Sequence, residues 1–266
     1  QTPAITASLR GLVGEEITVR AANRDLHSGQ YGGAAANPIR ILAKILADVH
    51  DDTGRVTISG FYDGVEETPS QILKSWETLG ETAETMLGPI GLSELAGEKG
   101  RSALELVWAR PTAEFNGISG GYTGKGFKTV IAAEASAKVS FRLVHKQDPK
   151  KIRAAFRKFV EERIPADCSV SFHEHGGSPG IQLPYDAPFP SKAKAALSDE
   201  WPNPAIMTGG GGSIPVVATF TELLEVPCVL VGLGLSDDRL HSPNEKFDLD
   251  NFFHGILTSA YFYSEM

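Results

Sequence analysis

The sequence predicts a mixed fold, an α+β unit of the split βαβ (ferredoxin-like) kind up to about residue 177 followed by an α/β segment over 178–266. Three observations predict it. Patterns of period two and period 3.6 follow one another as strand, helix, strand and again as strand, helix, strand through the first part. The run Gly176-Gly-Ser-Pro-Gly180 then breaks the pattern. Beyond it, short apolar strands alternate with helices, as in a parallel α/β sheet.

Residues 15–22 contain the β-branched Ile17, Thr18 and Val19 and read as a strand, entered from Gly14 and left through Asn23, Arg24 and Asp25. A polar loop occupies 27–33. Asn37 then caps a helix with Pro38 in its first turn, and Ile39, Leu42, Ile45, Leu46 and Val49 recur at spacings of three and four. A short strand is expected at 55–58, and 62–110 reads as a helical elaboration without a chemical motif. Strands at 114–119 and 134–144 flank a Gly-rich hairpin region, 120–128, and in the second of them Ala137, Val139, Phe141 and Leu143 alternate. A basic amphipathic helix at 150–163 holds Ile152, Phe156 and Val160 inward, and a strand at 169–173 closes the unit. After the break come helices at 188–201, 214–224 and 250–263 with strands at 205–208 and 228–232. Two such strands do not make a covered parallel sheet, so 178–266 reads as half of a domain.

With 266 residues the chain can bury one large core or two ordinary ones. Hydrophobic residues make up 41% and no apolar run reaches the roughly 20 residues that cross a bilayer, so no membrane role is expected. A net charge of -8 opposes nucleic-acid binding. Cys168 and Cys228 form no CxxC pattern, which fits a reducing cytoplasm. The start, Gln1-Thr-Pro-Ala-Ile-Thr6, has no initiator Met, basic region or apolar region, and reads as the interior of a longer chain.

Five places could carry chemistry. Gly209-Gly-Gly-Gly-Ser-Ile-Pro215 lies between an expected strand and helix, with Ser213 as expected N-cap. It is either a capped turn or a close approach for an anion. His241-Ser-Pro-Asn-Glu245 follows a strand and Asp237-Asp238; His241 is either a structural loop residue or a ligand, acid or base. His27 is either a polar loop residue satisfied by the turn or a donor for substrate. Thr129 ends the Gly-rich hairpin. Arg142 stands between Phe141 and Leu143 in an apolar strand, where a guanidinium either makes a surface ion pair or grips a carboxylate with two parallel bonds.

The motifs Arg24-Asp-Leu-His-Ser-Gly-Gln-Tyr-Gly-Gly33, Gly120-Gly-Tyr-Thr-Gly-Lys-Gly-Phe-Lys-Thr-Val130, Ser140-Phe-Arg-Leu-Val144, 209–215 and 241–245 occur in this order over nearly the whole chain. Together they resemble the metallopeptidase family of carnosinases, cytosolic non-specific dipeptidases, aminoacylases, glutamate carboxypeptidases and succinyl-diaminopimelate desuccinylases, and most closely its dipeptidase branch. The resemblance implies a dimerising split-βαβ lid (1–177, with an insertion at about 62–110) and the C-terminal part of an aminopeptidase-like catalytic α/β domain (178–266). It also implies a homodimer acting on small peptides. His27 would reach into the partner's site to polarise the scissile carbonyl. Thr129 and Arg142 would hold the substrate's terminal carboxylate, Ser213 and Gly212 would help bind it, and His241 would be a metal ligand.

The same resemblance implies two divalent metal ions, zinc with manganese as the alternative. The family's HxD-type His and Asp, its acidic pair with the general base and its further Asp have no counterpart in this sequence. Only the counterpart of His241 is present among five usual ligands. Without metal-activated water and a carboxylate base, these 266 residues are expected to be inactive alone, the hydrolase function belonging to a longer parent. Two alternatives stand beside the dipeptidase reading: an N-acyl amino acid amidohydrolase of the same family, and a non-catalytic dimerisation or amino-acid-binding module.

Overall fold

The computed structural model describes residues 2–185, 188–225, 227–235, 237–240 and 242–264. The chain opens on β1 (Ala4–Leu9) and β2 (Gly11–Arg20), then β3 (Leu26–His27), α1 (Ser28–Tyr31) and α2 (Pro38–Ala47). Three helices follow, α3 (Ser70–Glu77), α4 (Ala83–Leu87) and α5 (Ala103–Trp108). Next come β4 (Thr112–Gly120), β5 (Val130–Ile131), β6 (Glu134–Leu143), α6 (Pro149–Glu161) and β7 (Ser169–Ser178). The last part holds β8 (Ile181–Gln182), α7 (Pro188–Glu200), β9 (Ile206–Gly210), α8 (Pro215–Leu224), β10 (Leu230–Gly232) and α9 (Leu249–Ser264).

The larger sheet has the order β4-β6-β2-β7, antiparallel throughout. With α2 after β2 and α6 after β6, this is the split βαβ arrangement that the sequence predicts. In β6 the side chains of Ala135, Ala137, Val139, Phe141 and Leu143 are buried, so the intervening positions, Arg142 among them, point to the opposite face. Asn37 caps α2 by accepting from the N–H of Ile39 at 3.0 Å, and Asp148 caps α6 by accepting from Lys150 N–H at 2.8 Å. Leu42, Ile45 and Leu46 of α2 join Ile152, Phe156 and Val160 of α6 in one core against β2 and β6.

Glu15 is buried beneath α6, where Arg153 meets it at 2.8 Å and Arg157 at 2.6 Å. Replacing Glu15 with Ala removes the buried partner that Arg153 and Arg157 share and leaves them only the exposed Glu174 carboxylate. We expect it to lower unfolding stability by about 3 kcal/mol, read as a fall in the denaturant midpoint. An unchanged midpoint would show that the two arginines find water instead.

The second sheet departs from the sequence reading. β1, unread in the sequence and counted there within 1–177, pairs in this sheet and not in the larger one. It runs parallel to β9 (Ile5 opposite Met207) and antiparallel to β10 and β8. Its partners lie far along the chain, and only Arg10 separates it from β2, so no local break marks it. The expected strand at 55–58 is also absent: only Val56 makes a bridge, to His50. Val56 N–H donates instead to Tyr62 Oη at 3.0 Å, and no strand edge lies alongside.

The 62–110 elaboration packs on the second sheet. Trp76 Nε1 donates to the Met207 carbonyl of β9 at 2.8 Å, and its ring meets Trp108 edge-on at 5.1 Å. A buried bidentate pair, Arg110 with Glu98 at 3.0 and 2.9 Å, ties its far end together.

Candidate substrate-carboxylate site

Where the two sheets meet, Arg142 reaches across from β6. Its Nη1 donates to Ser213 Oγ at 2.9 Å, and that hydroxyl donates to the Arg10 carbonyl at 2.6 Å. The Arg10 guanidinium lies alongside, Nε donating to Gly211 O at 3.0 Å. Burial, and then the nearby charge of Arg142, bring the Arg10 pKa down to about 10, against a smaller opposing pull from Glu114. Among the described residues neither guanidinium has a carboxylate within the 4.0 Å of an ion pair. Two partly buried cations without a counter-ion make a corner that favours an anion, and the fork geometry of Arg142 suits a carboxylate.

The Gly-rich turn supplies one wall. A Cβ on Gly209 would lie 2.5 Å from Trp108 Cβ, whereas one on Gly212 would meet nothing within 4 Å. Gly209 is thus fixed by packing, whereas Gly212 has open space beside it. We expect Gly209→Ala to destabilise the protein by about 1–3 kcal/mol and Gly212→Ala to leave stability unchanged. Thermal melting of the two variants separates them; equal shifts would contradict this division. Ser213 is not the N-cap expected from sequence. Pro215 sets the first helical turn, Ile214 takes the cap position without a side-chain bond, and the Ser213 hydroxyl is held by Arg10 and Arg142.

His27 and Thr129 come together elsewhere. His27 Nδ1 accepts from Gly29 N–H at 3.0 Å, which puts the ring proton of neutral His27 on Nε2. Nε2 lies 3.3 Å from Thr129 Oγ1, and Ser28 N–H donates to the Thr129 carbonyl at 2.9 Å. This pair sits on the β3–β5 ribbon at the Glu134 end of β6, because His27 pairs with Val130 and Asp25 accepts from Ala133 N–H at 2.9 Å. Glu134 to Arg142 is eight residues of strand, about 26 Å at the usual rise. Within one chain, Thr129 therefore stands with His27, not with Arg142.

His241 lies outside the described residues. In the same loop, the Leu235 N–H and the Lys246 ammonium hold the Asp238 carboxyl below the usual carboxylate range, which commits Asp238 to the loop. Among the described residues no group of three or more His, Cys, Asp or Glu side chains is placed to hold a metal ion. They do not by themselves form the ligand set of a two-metal centre. Arg10 is the residue that sequence reasoning missed: a lone Arg between two strands carries no signal in composition or spacing.

Residues 7–168 match the M20 peptidase dimerisation domain. The chain belongs to the M20 peptidase family. It is 31% identical over 260 residues to the Cys-Gly metallodipeptidase DUG1 of Candida albicans, covering 96% of this chain and 53% of that protein. It is 27% identical over 268 residues to the human Beta-Ala-His dipeptidase, covering 99% of this chain and 53% of that protein. Among solved structures it superposes on the di-peptidase Dug1p from Saccharomyces cerevisiae with a TM-score of 0.81 at 26% identity, covering 100% of this chain and 57% of that one. The chain spans about half the length of the curated relatives it matches. The fold is that of M20 peptidases, a dimerisation domain together with an α/β segment.

Proposed function

We propose that this chain provides the substrate grip and the dimer contact of a metal-dependent dipeptidase, which hydrolyses small peptides with a free C-terminal carboxylate. The observation that carries this reading is the Arg142–Ser213 contact beside Arg10, with no described carboxylate within ion-pair distance of either guanidinium. Cys-Gly and β-Ala-His, the substrates in the names of its relatives, are the first peptides to try. Zinc, with manganese as the alternative, is the proposed metal pair and His241 one of its ligands. The remaining ligands and the general base are assigned to the part of M20 dipeptidases that this chain does not match. These 266 residues alone are then expected to hydrolyse no dipeptide. Two free thiols, Cys168 and Cys228, support a cytoplasmic setting.

The lid is taken as the larger sheet with α2 and α6, and its edges support a homodimer. The β7 edge bears His173, Glu174 and His175, polar side chains with a carboxylate among them that discourage strand addition, whereas the β4 edge exposes Phe115 and Ile118. In β4, Thr112 lies beside Arg142 and Gly120 beside Ala135. Antiparallel pairing of two β4 edges about a twofold sets the Gly120 end of one chain next to the Thr112 end of the other. The partner's His27 and Thr129 then approach Arg142, closing the gap that a single chain leaves open. In this arrangement Nε2–H of the partner's His27 donates to the scissile carbonyl oxygen as negative charge develops on it. Arg142 and the partner's Thr129 hold the terminal carboxylate.

The test is a comparison of three substrates by the full protein from the natural gene: a free-acid dipeptide, its C-terminal amide and an N-acyl amino acid. Rapid, chelator-sensitive hydrolysis of the free acid is expected, with the amide about 100-fold poorer. Preference for the N-acyl amino acid would move the assignment to an amidohydrolase, and no hydrolysis of any would leave a binding module.

A further inference from the structure

We propose that Arg10 is the positioning residue of the carboxylate site: it locks the Gly209–Ser213 turn, fixes Ser213 as a hydrogen-bond acceptor and so aims Arg142. The proposal rests on the reading that Arg142 binds the substrate carboxylate.

Arg10 is the single residue between β1 and β2, where the chain passes from one sheet to the other. Its backbone brackets the turn, since its N–H donates to Gly210 O at 3.2 Å and its carbonyl accepts from Ser213 Oγ at 2.6 Å. Its side chain reaches the same turn and the inserted segment beyond it, with Nε donating to Gly211 O at 3.0 Å and Nη1 facing the carbonyls of Leu106 and Arg110 at 3.4 and 3.5 Å. One residue thus joins both sheets, the Gly-rich turn and the insertion.

The direction of the Ser213 bond follows from proton counting. A hydroxyl has one proton, and the short contact to the Arg10 carbonyl uses it, because a carbonyl can only accept. Toward Arg142 the Ser213 oxygen therefore presents lone pairs, and Nη1 donates to them. Ser213 has no second proton for a substrate anion in this arrangement. Its part is to hold one N–H of Arg142 so that the remaining N–H groups of that guanidinium face the carboxylate. Three of the five Arg10 N–H donors, those of Nε and Nη1, go to carbonyls of the turn and the insertion, so Arg10 acts chiefly through the turn and through Arg142. A lysine at this position keeps the charge but not the fork that spans Gly211 and the insertion.

The experiment measures kcat and KM of the full metal-loaded protein for glycylglycine and glycylglycinamide, in wild type, Arg10→Lys, Ser213→Ala, Ser213→Thr, Arg142→Ala and Arg10→Lys/Arg142→Ala. Titration of glycylglycine into the metal-stripped proteins gives a second readout that needs no turnover. Arg10→Lys is expected to raise KM for the free acid about tenfold with kcat within about twofold, and to leave the amide unchanged. Binding to the metal-stripped protein should weaken by a similar factor. Ser213→Ala should act in the same direction and Ser213→Thr should not, which keeps the test informative where Arg10→Lys folds poorly. In the Arg142→Ala background Arg10→Lys should have no further effect. Equal losses for acid and amide, or an undiminished Arg10 effect without Arg142, would overturn the positioning role while sparing the carboxylate reading. An intact acid preference in Arg142→Ala itself would overturn both.

Discussion

Arg142→Ala lowers kcat/KM for a free-acid dipeptide by about 100-fold in the full protein and barely changes hydrolysis of the corresponding amide. Truncating one member of a hydrogen-bonded charge pair costs about 2–5 kcal/mol when the pair is desolvated, and Arg142 is only partly buried, so the lower part of that range applies. About 2.7 kcal/mol corresponds to the 100-fold loss. The loss should fall on KM more than on kcat, because the carboxylate is a remote group held in ground and transition states alike. Arg142→Lys should recover only part of it, since an ammonium keeps the charge without the two parallel donors. Steady-state kinetics on acid and amide decide the matter. Equal losses on both substrates would mean that Arg142 supports the fold at the sheet junction and does not read the carboxylate.

The parts legible in sequence are those whose burial is one-sided and local. β2 and β6 bury alternate residues, and α2 and α6 bury one stripe each, so period two and period 3.6 stand out and the split βαβ unit follows. β1 escaped because its partners β9 and β10 lie some two hundred residues away, and because Arg10 is too short a spacer to signal a change of sheet. The strand expected at 55–58 failed for the opposite reason: Val56 and Ile58 are buried, but beneath a turn closed by Tyr62, and no neighbouring edge pairs with them. Of the site residues, Arg142 was legible as a cation among apolar neighbours. Ser213 was recognised for its place and misread as a cap, since its hydroxyl answers to Arg10 and not to α8. Arg10 could not be found from sequence, because its guanidinium acts on the carbonyls of Gly211, Leu106 and Arg110, contacts that lie about one hundred to two hundred residues along the chain and that no spacing announces.

His27→Ala should lower kcat by about 10²–10³-fold, the usual effect of removing one oxyanion-stabilising donor, with metal content and dimerisation unchanged. The Nδ1 contact with Gly29 fixes the ring so that Nε2–H is the free donor, and Thr129 Oγ1 receives it while no substrate is bound. A donor aimed at charge that develops during reaction affects turnover more than binding, which separates this variant from Arg142→Ala. A variant with normal kcat would remove His27 from the reaction.

The central claim is that each site takes Arg142 from one chain and His27 from the other. Heterodimers decide it. When a His27→Ala chain is paired with an Arg142→Ala chain, a shared site leaves one pocket with both residues intact and the other with neither. Activity per heterodimer then returns to about half of wild type, although each homodimer is nearly dead. Pairing a His27→Ala/Arg142→Ala chain with a wild-type chain gives the reverse: both pockets carry one lesion and almost no activity remains. The account predicts recovery in the first heterodimer and loss in the second, measured as kcat/KM on tagged, purified heterodimers at substrate concentrations far below KM. No recovery in the first and half activity in the second would show that each chain holds its own complete site, and would contradict it.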